Sequence, residues 1–187
     1  MEKIKLKKFE EKDLKKIKEW YTDITEWKLW DAPWEEVEYN EEKQRIYRRQ
    51  RTENLPCFEY EIIYDKKHIG WISAYYMTDD FKYNGIKKTN NIAIGIDIPD
   101  ENMRGKGFGV KALKEYLRYF KKLGYLKIYT QTWSGNTRMV HVAEKVGFKE
   151  INRFKEIRNV NGKKIWCFNI CNRFIKKKQV DITYIKW

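Results

Sequence analysis

The chain has 187 residues, of which 42% are hydrophobic and 16% aromatic, and its net charge is +13. This composition excludes an intrinsically disordered protein and predicts one compact domain over residues 1–187. No apolar run approaches the roughly 20 residues of a membrane span, and Met1–Phe9 lacks the continuous apolar core of a secretory signal. We therefore expect a cytoplasmic protein with no membrane partner.

The first half of the chain shows the hydrophobic periodicity of strands and helices. The expected strands are Lys3–Phe9, Phe58–Tyr64, His68–Tyr76 and Asn91–Ile98, and the expected helices are Glu11–Trp20 and Glu41–Arg51. The tight turn Asp65–Lys67 predicts a hairpin between the second and third strands. Trp27–Glu36 contains Pro33 and several aromatic residues, and we expect it to be irregular.

The second half alternates helices and strands. The expected helices are Phe108–Leu123 and Asn136–Val146, and the expected strands are Leu126–Thr132, Phe148–Ile157 and Lys164–Phe174. Asn161 and Gly162 form the expected turn between the last two strands, and residues 175–187 form a basic tail. The order of elements predicts an α/β domain with a mixed central sheet of about seven strands and helices on both faces.

A glycine-rich turn, Arg104-Gly105-Lys106-Gly107-Phe108-Gly109, joins a predicted strand to a predicted helix. Glycines let a backbone approach a ligand closely, and the unpaired amides of a helix N-terminus attract anions. Arg104 and Lys106 add formal positive charge. The spacing matches neither the dinucleotide fingerprint nor the NTP-binding loop. The turn therefore predicts a phosphate site of another kind, and a turn that only connects two elements is the alternative.

The same turn matches the R/Q-x-x-G-x-G/A signature of the GNAT superfamily of N-acetyltransferases. Residues 136–148 resemble the second signature of that family, an Asn followed by E-K-x-G-F, with Asn136, Glu144-Lys145 and Gly147-Phe148 in register. The order of elements is similar to the GNAT order over nearly the whole chain. Parts of the chain resemble the ribosomal-protein N-terminal and aminoglycoside-acetylating branches.

The resemblance implies an enzyme that uses acetyl-CoA as co-substrate and transfers the acetyl group directly in a ternary complex. It implies cofactor-binding roles for residues of the strand, the turn and the second signature: Ile96, Ile98, Arg104, Gly105, Lys106, Gly107, Phe108, Gly109, Asn136 and Lys145. For Lys145, a solvated surface lysine is the alternative. No metal is expected, because His68 and His141 show no ligand spacing with the cysteines.

One position departs from the family pattern. Many GNAT enzymes have a Tyr seven residues after the Asn, as general acid for the thiolate, and this chain has Ala143. A lysine-type amine with a pKa near 10.4 needs about 4–5 kcal/mol to lose its proton at pH 7, whereas expelling a thiolate costs only about 2 kcal/mol. The base therefore matters more than the acid, although a domain that binds coenzyme A without catalysis is an alternative.

The candidates for proton transfer are Asp97, Glu61 and Tyr129, with Ser134, Tyr76 or a water-mediated relay as further alternatives. Asp97 follows Ile96 on the strand next to the implied thioester, and the alternation of that strand turns it away from the isoleucines. Some aminoglycoside-acetylating GNAT enzymes carry a similar Gly-x-Asp. Glu61 is the alternative base, and Tyr129 is a weaker candidate for the acid. A solvated, outward-facing Asp97 is the structural alternative.

An acidic island lies between Thr22 and Glu42, where eight carboxylates are opposed only by Lys28. Aromatic residues are interleaved with them, and aromatic faces bind cations. We therefore expect the acceptor to be a cationic small molecule, a polyamine or an aminoglycoside-like amine. The predicted substrate-binding residues are Trp27, Trp30, Asp31 and Trp34. In the alternative, the aromatic residues are core and the acids are solvated.

Other functions remain as alternatives. The resemblance to the ribosomal-protein branch leaves acetylation of a protein N-terminus as the second enzymatic hypothesis. The charge of +13 also suits a nucleic-acid-binding module, but the lysine clusters are scattered and no recognised nucleic-acid motif accompanies them. We therefore expect a small-molecule amine as partner, no nucleic acid, and a monomer or homodimer.

Overall fold

The computed structural model describes residues 4–35, 38–160 and 163–173, with side chains as far as residue 153. Seven strands form one sheet in the order β1-β2-β3-β4-β5-β7-β6. The strands are β1 (Lys5–Lys7), β2 (Glu59–Tyr64), β3 (Lys67–Met77), β4 (Asn91–Asp97), β5 (Lys127–Trp133), β6 (Lys149–Val160) and β7 (Lys163–Arg173). The helices are α1 (Leu14–Thr22), α2 (Lys28–Asp31), α3 (Glu41–Glu53), α4 (Phe108–Lys122) and α5 (Thr137–Lys145). Short 3-10 turns occupy Glu11–Asp13 and Glu101–Met103.

These elements confirm the predicted α/β fold with a mixed sheet. The turn between β2 and β3 has positive φ at both Asp65 (46°) and Lys66 (61°), as the right-handed twist of a tight hairpin requires. The expected turn at Asn161 and Gly162 and the basic tail at residues 175–187 lie outside the described residues. Within the described part of the chain, none of the helices has the length and apolar character needed to cross a membrane.

One expectation was wrong. Residues 27–36 were expected to be irregular, but the segment contains the one-turn helix α2. The amides of Leu29 and Trp30 donate to the carbonyls of Glu26 and Trp27. The carbonyl of Trp30 then accepts from the side chains of Trp133 and Asn136, at 2.9 and 2.6 Å. Tertiary hydrogen bonds therefore hold a helix that is too short to give a periodic signal.

The two faces of the sheet carry different helices. On one face, Ile72, Ile94 and Ile128 pack in the main core with Leu113 and Phe120 of α4, all at 0–1% exposure. The spacing of the apolar residues in α4 predicts this contact. Burying one such side chain stabilises the fold by about 1.5–3 kcal/mol. The opposite face carries α1 and α3 and a second core cluster formed by Ile17, Trp20, Trp27 and Trp71.

The central parallel pair of strands ends early. β4 and β5 are in parallel register at Ala93 and Tyr129, and the ladder stops there although the strands continue to Asp97 and Trp133. The other edge of β4 stays paired with β3, from Met77 opposite Asn91 to Trp71 opposite Asp97. The sheet is therefore open between the carboxyl ends of β4 and β5.

A buried charge network fixes α3 to the sheet. Arg48 Nη1 lies 2.6 Å from Glu59 Oε1 and 2.9 Å from Glu61 Oε1, and Arg51 Nε lies 2.9 Å from Glu59 Oε2. Burial alone would lower the pKa of Arg48, but Glu59 and Glu61 more than offset it and raise that pKa. Burial would likewise raise the pKa of Glu61, but Arg48 and His68 lower it. Glu59 differs, because its burial raises its pKa although Arg48 and Arg51 offset part of the rise. The members of the network are therefore mutually dependent.

Arg48→Met should destabilise the protein by about 3–5 kcal/mol, because it removes the cation that Glu59 and Glu61 share and leaves them only Arg51 and His68 as partners. Arg49→Met is the matched control one residue along α3. Arg49 is 55% exposed and pairs with Glu11 at the surface, so its loss should cost at most about 1 kcal/mol. Urea unfolding followed by circular dichroism measures both, and equal losses would contradict this account of the network.

Candidate active site

A cavity of about 700 Å³ opens where β4 and β5 stop pairing. This volume lies within the range of small-molecule and cofactor sites, about 300–1,000 Å³. Most of the residues predicted from the sequence line it: Trp27, Trp30, Asp31, Ile96, Asp97, Ile98, Arg104, Gly105, Gly107, Phe108, Gly109, Asn136 and Lys145. Ile96 lies near the end of β4, and Ile98 directly follows that strand. The fold therefore brings the glycine-rich turn, the second signature and two carboxylates to one cavity.

The glycine-rich turn has the backbone that an anion site needs. Gly105 and Gly107 have φ values of 73° and 78°, in the left-handed region that glycine adopts without steric cost. A Cβ built on either residue would meet no atom within 4 Å. Gly107 is the N-cap of α4, so the following amides have no partner within the helix. These features fit a phosphate group.

Arg104 and Asn136 line the cavity but bond to protein groups. Arg104 Nε donates to the carbonyl of Ile98 at 2.7 Å, and its Nη atoms donate to Pro99 and Glu26. Asn136 Oδ1 accepts from the amide of Met139 at 2.9 Å, which caps α5, while Nδ2 donates to Trp30. Both side chains therefore hold the walls of the cavity in place.

The carboxylates of Asp97 and Asp31 border the same cavity. Asp97 lies opposite Trp71 and therefore on the face of the sheet that carries α1 and α3. Burial and the charge of Asp31 raise the pKa of Asp97 well above its ordinary value, and Arg48 offsets part of this rise. Asp31 stands at an exposed rim, yet the surrounding protein and the charge of Glu35 raise its pKa to about 6.

The tryptophans predicted to bind substrate differ in their surroundings. Trp27 lines the cavity but also belongs to the second core cluster, where its Nε1 donates to the carbonyl of Trp20 at 2.8 Å. Trp30 lies under the guanidinium of Arg138, 3.9 Å from the ring centroid. Trp34 lies outside the cavity lining and packs edge-on against Trp133 at 6.2 Å.

Three other predicted residues also lie outside the lining. Glu61 is fully buried in the charge network, where its Oε2 lies 2.7 Å from His68 Nε2. Tyr129 is buried and packs against Phe81 at 5.6 Å. Lys106 is exposed on the turn. Asp97 is therefore the catalytic candidate that borders the cavity.

Ala143, at the position where many GNAT enzymes have a Tyr, is fully buried in the main core. Its neighbours in that core include Met139, Val142 and Phe148. The position carries no hydroxyl, and its side chain packs in the core. Sequence and structure therefore agree that this position supplies no acid.

Several residues at the cavity were not singled out from the sequence. Gln131 accepts from the hydroxyl of Tyr75 at 2.7 Å and donates to the carbonyl of Phe81 at 2.9 Å. Thr132 and Arg138 also line the cavity. The sequence gives only a weak signal for these residues. Gln131 and Thr132 are ordinary strand residues. Arg138 lies two residues after the signature Asn136 but matches no motif.

The acidic island divides into separate groups. Glu41 and Glu42 pair with Arg45 along α3, and Glu26 pairs with Arg104. Asp31 borders the cavity, and Glu35 acts on it through its charge. Glu36 lies outside the described residues. The contribution of the island to the cavity is therefore much smaller than its composition suggests. Among the described residues, no group of three or more His, Cys, Asp or Glu side chains could hold a metal ion.

Comparison with known proteins assigns the family. Residues 3–149 match the model of the acetyltransferase (GNAT) domain. An uncharacterized N-acetyltransferase of Bacillus subtilis strain 168, the SPbeta prophage-derived YokL, is 27% identical in an alignment of 103 residues that covers 46% of this chain and 58% of that protein. The match thus spans little more than half of that relative.

Solved structures share the fold at low sequence identity. A GNAT-family acetyltransferase from Bacillus anthracis is 19% identical with a TM-score of 0.69, over 92% of this chain and 98% of that chain. RimL, a ribosomal L7/L12 alpha-N-protein acetyltransferase in complex with coenzyme A, is 15% identical with a TM-score of 0.73, over 91% of this chain and 94% of that chain. Because the family model covers most of the sequence, the chain belongs to the GNAT acetyltransferase family.

Proposed function

We propose that this protein transfers the acetyl group of acetyl-CoA to a primary amine of a cationic small molecule, a polyamine or an aminoglycoside-like compound. The observation that carries the proposal is the pair of carboxylates, Asp31 and Asp97, in the same cavity as the glycine-rich turn. A single cavity for donor and acceptor supports direct attack within a ternary complex, with no covalent intermediate on the enzyme.

The part of the cavity at the glycine-rich turn, here called the donor half, would hold acetyl-CoA mainly through backbone groups. The amides that follow Gly107 would bind the pyrophosphate, and the helix dipole of α4 adds to the attraction. Ile96 and Ile98 would lie along the pantetheine arm, and Lys145 near its phosphates. When bound, the donor supplies a thioester carbonyl that an amine can attack.

Asp97 would accept the proton of the attacking amine. An amine with a pKa near 10.4 is almost entirely protonated at pH 7, and removing the proton costs about 4–5 kcal/mol. A carboxylate whose pKa is raised is a stronger base than an ordinary one, and burial raises the pKa of Asp97. The departing thiol has a pKa near 8.5, so its release as a thiolate costs only about 2 kcal/mol. Activity therefore does not require a hydroxyl at Ala143.

The part of the cavity at Asp31 and Asp97, here called the acceptor half, carries negative charge and is bordered by aromatic residues. Asp31 and Asp97 would attract ammonium groups, whereas the ring of Trp30 already makes a cation–π contact with the guanidinium of Arg138. Glu35 strengthens the negative potential at the rim, since its charge raises the pKa of Asp31. A molecule with two or more ammonium groups can engage both carboxylates, which favours polycations over monoamines.

Acetylation of a protein N-terminus is the second candidate, favoured by the structural likeness to RimL. A panel of polyamines, aminoglycosides, neutral amines and N-terminal peptides, assayed by release of free coenzyme A, separates the two. We expect polycations to exceed neutral amines in kcat/KM by at least about tenfold, equivalent to 1.4 kcal/mol. Peptides as the best acceptors, or polycations no better than neutral amines, would contradict the proposal.

Asp97→Asn should lower kcat by about 10²–10⁴-fold, the usual contribution of a general base. In the wild type, kcat/KM should rise with pH through the elevated pKa of Asp97, because only the ionised carboxylate accepts a proton. The variant should lose this limb of the pH profile while its affinity for coenzyme A is retained. A variant with unchanged kcat would rule out Asp97 as the base.

Asp31→Asn should raise the KM of a polyamine and leave that of a neutral amine nearly unchanged. Since the pKa of Asp31 is about 6, the wild-type KM for a polyamine should fall as the pH rises through about 6. The amine itself stays charged in that range. Glu38→Gln, which removes an exposed charge of the acidic island, is the control. If both variants have the same effect, general surface charge explains it.

Gly107→Ala should weaken coenzyme A binding by at least about tenfold, because a methyl group would face the donor half at φ 78°. Gly124→Ala is the matched control. Gly124 follows the other end of α4, has φ 91°, and a Cβ built there would likewise meet no atom within 4 Å. Each change should cost about 1–2 kcal/mol of stability. Calorimetric titration with coenzyme A should distinguish them, and equal affinities would contradict the role of the turn.

A further inference from the structure

The carboxylate of Glu26 contacts side chains from three separate elements. Its Oε1 accepts from Trp30 Nε1 of α2 at 2.5 Å and lies 3.6 Å from Arg138 Nη1 of α5. Its Oε2 pairs with Arg104 Nη1 in the glycine-rich turn. Glu26 itself lies outside the lining of the main cavity. It therefore touches neither half of the site directly, but binds residues that do.

Helix α2 depends on these contacts for its position. The carbonyl of Trp30 accepts from Trp133 and Asn136, and the ring of Trp30 lies under Arg138. Trp133 belongs to β5, Arg138 belongs to α5, and Asn136 is the N-cap of α5, so all three lie next to the donor half. The next residue in α2 is Asp31, which borders the acceptor half. The helix thus joins the acceptor carboxylate to the donor side of the cavity.

The charges reinforce this arrangement. Burial alone would raise the pKa of Glu26, but hydrogen bonds from Trp30 and Arg104 lower it, so the group stays ionised near neutral pH. The carboxylate of Glu26 then pairs with the guanidinium groups of both Arg104 and Arg138, next to the glycine-rich turn. Removing that negative charge would free both cations from their common partner while leaving the backbone of the turn intact.

We propose that Glu26 is a positioning residue that couples donor binding to the placement of Asp31. A donor that constrains the glycine-rich turn constrains Arg104, and through Glu26 and Trp30 it constrains α2. Coupling of this kind is reciprocal, so an ordered α2 also favours the donor. The role in acceptor binding rests on the proposed function, but the mechanical link between turn and helix does not.

The alternative is a local ion pair without wider effect. Glu26 is 41% exposed and Arg104 16% exposed in this pair, and pairs near the surface often contribute little to stability. A local pair would leave the response of α2 to the donor unchanged when Glu26 is replaced. The two cases therefore differ in a measurable property of α2.

Hydrogen exchange with mass spectrometry, with and without saturating coenzyme A, tests the link without an amine. In the wild type and in Glu38→Gln, coenzyme A should slow exchange of residues 27–34 by at least about fivefold, the low end of typical coupling between sites. In Glu26→Gln, coenzyme A should still slow exchange in residues 105–110 but no longer in residues 27–34. Circular dichroism checks that the variant is folded.

A second variant keeps the test decisive if Glu26→Gln is poorly folded. Arg138→Gln removes the guanidinium over Trp30 and should also reduce the protection of residues 27–34. Equal protection of this segment in the wild type and the folded variants, or none in the wild type, would overturn the coupling. Because only coenzyme A is added, this result is independent of whether a polyamine is the acceptor.

Discussion

The early end of the pairing between β4 and β5 is the constraint on which the site depends. Evenly spaced, slanted hydrogen bonds join a parallel pair of strands, and here the pairing is confined to Ala93 and Tyr129 although both strands continue. The backbone groups beyond that point face a cavity instead of a neighbouring strand. The chain then crosses over through the glycine-rich turn and α4, which places unpaired helix amides at the same opening.

The two carboxylates at the cavity are brought together at a cost in electrostatic free energy. Asp97 and Asp31 repel each other, and desolvation disfavours the charge on Asp97. In the proposed mechanism, the burial and repulsion that raise the pKa of Asp97 make it a better proton acceptor, and a cationic acceptor would relieve the repulsion. Arg48, held by Glu59 and Glu61, lowers the pKa of Asp97 and so offsets part of the rise. Arg48 therefore links the buried charge network to the carboxylate of Asp97.

The sequence was informative where a local pattern reflects a local cause. The period of α4, the alternation of β4 and the positive φ of Gly107 are all encoded within a few residues. Helix α2 and the contacts of Glu26 were not predictable in this way, because its partners Trp30, Arg104 and Arg138 are far apart in the chain. The acidic island shows the same limit: composition cannot distinguish Asp31, at the cavity, from Glu42, which pairs with Arg45.

The central claim is that one cavity holds donor and acceptor with Asp97 between them. A crystal structure with coenzyme A and spermidine tests it most directly. The account predicts the pyrophosphate on the amides after Gly107, and an amine nitrogen within about 3–3.5 Å of both the Asp97 carboxylate and the position of the acyl carbon. Coenzyme A outside this cavity, or an amine bound away from Asp97, would contradict it.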